Sequence, residues 1–226
     1  ATLTYNSIAG FIAGDDVSIS AITGTFADEH VGTNIAVSFS DITYAGADKD
    51  NYTITDQAGA TADITQRDLT VSGISVSDKT YDSTTSATVS VTGISYSGLV
   101  VGDNFSVTAT GVFNNEHVGT QTVTLTETPL GTDVENYNIT YQASSSADIS
   151  ARAITISGIT ASDKVYDSTT AATLTYNSIA GFIAGDDVSI SAITGTFADE
   201  HVGTNIAVSF SDITYAGADK DNYTIT

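Results

Sequence analysis

Residues 1–55 recur without a single change as residues 172–226, an offset of 171. Identity that long constrains the architecture before any single residue is weighed. The chain is a set of repeats, and one sequence must satisfy two positions in the array. A looser repeat halves the period. Residues 67–87 (RDLTVSGISVSDKTYDSTTSA) align with residues 152–172 (RAITISGITASDKVYDSTTAA), matching at 14 of 21 positions with an offset of 85. GVFNNEHVGT at 111–120 answers GTFADEHVGT at 24–33 and 195–204, and ENYNITYQASSSADIS at 135–150 answers DNYTITDQAGATADIT at 50–65. The unit is therefore about 85 residues in two alternating versions. It reads as a partial repeat at 1–66 without its N-terminal strand region, a complete repeat at 67–151, and a partial repeat at 152–226 without its C-terminal strand. The expectation is a window cut from a longer array, with any targeting signal outside it.

Within one unit the apolar period is two. Alternation runs through residues 35–40, TVSVT at 88–92, TVTLT at 122–126 and NYTIT at 51–55, and changes phase near Gln66 in ADITQRDLTVSG. Thr, Val, Ile and Tyr dominate these runs, which suits a pleated, half-buried surface. Gly-Asp and Gly-Thr steps punctuate them at the spacing of an all-β domain. The one candidate for a helical turn is FADEH at 26–30 and its copies. Between ADIT and the next LTVSG lie only Gln66, Arg67 and Asp68, and between ADIS and AITISG only Ala151 and Arg152. A flexible tether needs Gly, Pro or Ser, so the last strand of one repeat is expected to run almost directly into the first of the next, giving an elongated rod. Identical neighbouring domains swap elements while folding. Here perfect identity is confined to next-nearest neighbours.

Composition removes several function classes. Asp and Glu number 27 against 6 Lys and Arg, a formal charge of −21, which phosphate backbones and anionic lipid surfaces would repel. Nucleic acid is not expected as a partner, and no apolar run is long enough to span a bilayer. The absence of Cys removes disulfides, thiolate metal sites and a cysteine nucleophile.

Several segments, in order, resemble the YDG-type repeat domain of bacterial surface and filamentous-haemagglutinin-like adhesins. They are Lys79, Thr80, Tyr81 and Asp82 with Thr84 and Thr85, repeated from Lys164 through Tyr166 and Asp167 to Thr170. A Val/Ile-x-Gly-Asp step follows at 100–104, 12–16 and 183–187, then Phe-x-x-x-x-Val-Gly-Thr, Asn-Tyr-x-Ile-Thr and Ala-Asp-Ile. The resemblance implies small β-grasp-like domains in tandem, with an Ig-like sandwich as the alternative. It also implies a stalk or spacer role in secreted or cell-surface bacterial proteins, with neighbouring repeats as the partners. Where the family motif has Gly this chain has Ser83 and Ser168, so the turn is not expected to need a positive φ.

Candidate sites are few. His30, His117 and His201, each preceded by Glu, stand once per repeat, which suits a turn residue better than a zinc or catalytic site. There is no phosphate loop, nucleophile elbow or zinc-protease motif, so no enzyme is expected. Asp48, Asp50 and Asn51, with Asp219, Asp221 and Asn222, gather oxygens of the kind calcium prefers. The competing reading makes them ordinary turn formers. Lys79 and Lys164 stand out because lysine is scarce: either an isopeptide cross-link to an Asn such as Asn136, or a salt bridge to a neighbouring Asp beside a core Tyr81. The function expected is reach and stiffness at a bacterial surface. The second reading is a self-assembling subunit of a filament, sheath or matrix, with other copies of the chain as partners. A third is a repeated carbohydrate- or protein-binding module.

Overall fold

A computed structural model describes residues 2–5, 8–176 and 178–225. The protein is all-β. Its helical content among the described residues is three single turns of 3-10 helix, Lys49–Asn51, Val134–Asn136 and Lys220–Asn222, and no helix is long and apolar enough to cross a membrane. Two compact units divide the chain, and the division runs through the second repeat. One comprises residues 1–71, 96–106 and 129–140; the other comprises residues 72–95, 107–128 and 141–226.

In the first compact unit, strands Ser18–Phe26, Gly32–Ala45 and Gly59–Ile64 form an antiparallel sheet in that order. Two residues further on, strand Arg67–Ser72 opens a second sheet. Tyr137–Thr140 lies parallel to it, pairing Tyr137 with Arg67 and Ile139 with Leu69. The change of phase near Gln66 is thus the passage from one sheet to the next. Leu69, Phe105 and Tyr137 are buried here, and the Phe105 ring meets those of Tyr96 and Tyr137 edge-on at 5.2 and 5.9 Å. Such contacts add roughly 1 kcal/mol each beyond their burial.

The second compact unit holds a five-stranded sheet in the order Lys79–Thr80, Ser144–Ser150, Gly119–Leu130, Ser106–Phe113, Ser86–Ala87. Its two long central strands bury alternate side chains, Val107 and Phe113 on one, Val123 and Leu125 on the other. That is the period-two pattern of the sequence. Lys79–Thr80 lies parallel to Ser144–Ser150, with Lys79 opposite Ile149. A single residue, Ala151, separates Ser144–Ser150 from Arg152–Ser157, which pairs in parallel with Tyr223–Ile225 and antiparallel with Ser178–Ala180. Ala171–Ala172, Ser189–Phe197 and Val208–Ala216 form a further antiparallel sheet.

The stretch read as a helical turn, FADEH at 26–30, is a bend instead. The Asp28 carboxylate accepts the His30 amide at 3.0 Å, so the side chain replaces the backbone acceptor a helical turn would use.

Candidate functional site: the contact between repeats

The Tyr-Asp-Ser turn is shaped by its lysine. Lys79 Nζ donates to Asp82 Oδ1 at 2.7 Å, to the Thr84 carbonyl at 2.6 Å and to the Ser86 carbonyl at 3.2 Å, and stands 5.2 Å from the centre of the Phe113 ring. Asp82 Oδ1 also accepts the Thr84 amide at 3.0 Å. Burial disfavours the charge on Asp82, but its bonds from Lys79 and Thr84 outweigh this and hold the carboxyl below the ordinary range. Lys164 repeats the arrangement with Asp167 at 2.7 Å and the Thr169 carbonyl at 2.7 Å. The geometry in both copies is an ion pair inside a turn. Asn136, the cross-link candidate, has its Oδ1 occupied by the Val31 amide at 2.9 Å.

This clasp aims Tyr81 out of its own repeat. Its hydroxyl donates to Asp186 Oδ2 of the third repeat at 2.9 Å, and the Ser83 hydroxyl donates to Asp186 Oδ1 at 3.2 Å. Tyr223 donates to the same Oδ2, and the Tyr81 and Tyr223 rings meet edge-on at 5.4 Å. Asp186 is placed by the loop before Ser189–Phe197. That loop lies so close to Gly217 that a Cβ there would meet the Asp187 carbonyl oxygen at 2.0 Å. Burial opposes ionisation of Asp186, but three hydroxyl donors prevail and lower its pKa. Burial, then the Asp186 hydrogen bond, pushes the Tyr223 phenol up to about 12. Asp186 is thus a carboxylate, and both phenols remain donors at neutral pH.

Ser83 has φ +57° and Ser168 φ +60°, so the turn keeps the left-handed geometry that the Ser-for-Gly exchange was expected to relax. A non-glycine residue there costs about 1 kcal/mol. At Ser83 the hydroxyl contacts Asp186, an interaction glycine could not make.

A second contact recurs at both places where one repeat meets the next. The Val31 amide donates to Asn136 Oδ1 at 2.9 Å, and the Val118 amide donates to Asn222 Oδ1 at 3.1 Å. Each Asn ends a 3-10 turn, which points its carboxamide at the bend before Val-Gly. Asn222 is only 3% exposed, and its Nδ2 lies 3.2 Å from His117 Nδ1. His30 sits between two carboxylates, Nδ1 at 2.7 Å from Asp28 and Nε2 at 3.4 Å from Asp133. Its pKa is raised, first by the Asp28 hydrogen bond, with Asp133 adding to it. The Asp133 carboxyl is lowered chiefly by the Asn104 amide, and His30 adds to that.

At the contact between the first and second repeats, Asp103 accepts the Tyr137 hydroxyl as Asp186 accepts that of Tyr223. Here, however, a cavity of about 230 Å³ lies beside the pair, lined by Ile64, Thr65, Val100, Asp103, Asn136 and Tyr137 among others.

The candidate calcium ligands make the following contacts. Asp48 and Asp219 each accept a loop amide, from Asp16 and Asp187, at 2.9 Å. Asp50 and Asp221 pair with the adjacent Lys49 and Lys220, while Asn51 is exposed and Asn222 serves the repeat contact. Among the described residues no three His, Asp or Glu side chains gather to hold a metal. The sequence reading placed Tyr81 in the core but missed its acceptor. The recurrence of the first Asp of the Gly-Asp step (Asp15, Asp103, Asp186) with the Tyr of Asn-Tyr-x-Ile-Thr (Tyr52, Tyr137, Tyr223) marks the pairing within a repeat, not the Tyr81 contact.

A family model described as the YDG domain matches three stretches, residues 1–61, 65–146 and 150–226. No curated protein and no solved structure matches the chain significantly.

Proposed function

We propose that this chain, which belongs to the YDG domain family, is a run of spacer repeats from a large secreted or cell-surface bacterial adhesin, giving reach and stiffness rather than catalysis. The observation that carries the reading is the doubled contact from Val31 to Asn136 and from Val118 to Asn222. Successive repeats meet through the same backbone-to-carboxamide bond, at a turn and a 3-10 end that every repeat possesses. A contact encoded in every repeat propagates with copy number, as a stalk requires and a single catalytic centre does not. The excess of carboxylates supports the same role, because like charge keeps parallel chains apart at low salt.

Small-angle scattering tests it. The expected result is a maximum dimension growing by roughly 30–40 Å per repeat, the size of a compact domain of this length. Asn136→Ala should shorten the apparent persistence of the chain. A compact particle, or a flexible-chain profile already present in the unmodified protein, would refute the reading.

A further inference from the structure

The two contacts between repeats use the same amide-to-carboxamide bond but place a different histidine environment beside it. In the first repeat Asp28 stands two residues before His30; in the second the corresponding pair is Asn115 and His117. That one exchange alters what the imidazole can do.

Where the first repeat meets the second, the His30 ring lies between carboxylates of both, Nδ1 2.7 Å from Asp28 and Nε2 3.4 Å from Asp133. Asp133 is anchored by the Asn104 amide at 2.7 Å. A neutral imidazole carries one N–H, so either tautomer turns a lone pair on one of these carboxylates. Only the imidazolium donates to both. Of the other charged groups nearby, Arg67 donates to the Gly98 carbonyl, Asp103 accepts the Tyr137 hydroxyl, and Glu29 makes no ion pair with the ring.

Where the second repeat meets the third, the demand is reversed. Asn115 accepts the His117 amide through Oδ1 and donates to Gln121 through Nδ2, both at 2.9 Å, which leaves the His117 ring to Asn222. The Val118 amide occupies Asn222 Oδ1 at 3.1 Å and so fixes the orientation of that carboxamide. Its Nδ2 therefore donates to His117 Nδ1 at 3.2 Å, which requires Nδ1 to be the unprotonated nitrogen. Charging His117 would set two N–H groups against each other, and Asn222 is too buried for water to replace the lost acceptor. Glu116 adjoins His117, Asp219 takes the Asp187 amide, and Asp221 pairs with Lys220. Among the described residues no carboxylate stands at ion-pair distance from the His117 ring.

We infer that acid acts on the two contacts in opposite directions, tightening the joint that His30 completes and loosening the one that His117 completes. The sign of the response is set by one position, Asp28 or Asn115. The inference rests on the reading of these contacts as the joints of a spacer. The response at His30 is the smaller, because its side chain is half exposed and salt screens its pairing.

Amide exchange of the full chain, corrected for its intrinsic pH dependence, reads each contact separately at Val31 and Val118. The range is from about pH 8 to about pH 5, over which imidazole changes charge. On acidification, protection at Val118 should fall roughly fivefold, the effect of one net hydrogen bond, while protection at Val31 should rise about twofold. His117→Gln, whose carboxamide can accept from Asn222 without titrating, should abolish the fall. Asp28→Asn should diminish the rise. Imidazole nitrogen NMR at about pH 8 should find Nδ1 of His117 without a proton. The inference is overturned by a fall at Val118 that is absent or survives His117→Gln, by a proton on Nδ1 of His117, or by protection at Val31 that fails to rise. The readout is local, so its failure would leave the length measured by scattering untouched, and a compact particle would leave these two amides to be read as before.

Discussion

Residues 1–55 and 172–226 are one sequence in two surroundings, and they do not adopt the same secondary structure. In the first copy the strand Gly32–Ala45 runs for 14 residues, because Gly59–Ile64 pairs along its first part. In the second copy the equivalent strand is Val208–Ala216, nine residues, and its leading part is not in a strand. The reverse holds near the start. Leu174–Thr175 and Ser178–Ala180 are strands that pair with Thr160–Ala161 and Arg152–Ser157, whereas the described residues among 3–9 form none. Side chains follow the same rule. Asn222 is buried against the Val118 turn while Asn51 is exposed. Strand character here belongs to an edge and its partner jointly, since identical propensities give both outcomes.

The largest test separates the two Tyr turns. Tyr81→Ala should destabilise the protein by about 3 kcal/mol, as deletion of a buried aromatic does. Tyr166→Ala should change it by less than about 0.5 kcal/mol, the usual effect at an exposed site. Urea unfolding measures both, and equal losses would mean the contact with Asp186 contributes nothing.

Next comes the missing pairing. In a fragment of residues 1–226, appending a second copy of residues 56–66 should convert residues 203–207 into strand and stabilise the third repeat by on the order of 2 kcal/mol. That figure is a few net backbone hydrogen bonds of about 1 kcal/mol each, less the ordering of the strand. Amide exchange reads it directly: protection at Ile206 rising to that at Ile35 supports the edge argument, and unchanged exchange contradicts it.

A smaller effect distinguishes the two serines. Ser168→Gly should stabilise by about 1 kcal/mol through relief of its positive φ. Ser83→Gly gains the same relief but loses a hydroxyl bond to a carboxylate, worth roughly 1.5 kcal/mol, so its net effect should be near zero or slightly unfavourable. Thermal melts of the two variants should therefore move apart.

The smallest effect is electrostatic. His30 titrates above its ordinary 6.5 because charged His30 is held by Asp28 and Asp133. The stabilisation is fully present below pH 6.5 and is lost as pH rises through the folded pKa. At the acid end it fails as pH drops through the pKa values of Asp28 and Asp133, both lowered from 3.8. NMR titration of the His30 ring should show its midpoint fall in Asp133→Asn, and added salt should shrink the difference.

The sequence disclosed the repeats, the strand alternation and the near-absence of linkers, because each is a local or periodic property. Thr65 and Gln66, and then Ala151 alone, are indeed all that separates consecutive sheets. The contacts were not legible for a physical reason. Tyr81 and Asp186 lie 105 residues apart, and nothing in either segment specifies which repeat supplies the partner. Ser83 misled in a different way. Its side chain suggests a relaxed turn, but the lysine clasp, present at both Ser83 and Ser168, holds the left-handed backbone from outside. The bend at 26–30 was misread because Asp28 competes with the helical acceptor, a choice that composition alone does not reveal.

The Tyr81 contact also has a timetable. A chain emerges from the ribosome at roughly 5–20 residues per second. The Tyr81 hydroxyl therefore waits on the order of ten seconds after its own synthesis before Asp186 exists, and longer for Tyr223 to complete the ring contact. Until then the Tyr81 turn of the second repeat is uncovered. The second repeat is finished by the third, so its maturation trails its synthesis by about one repeat.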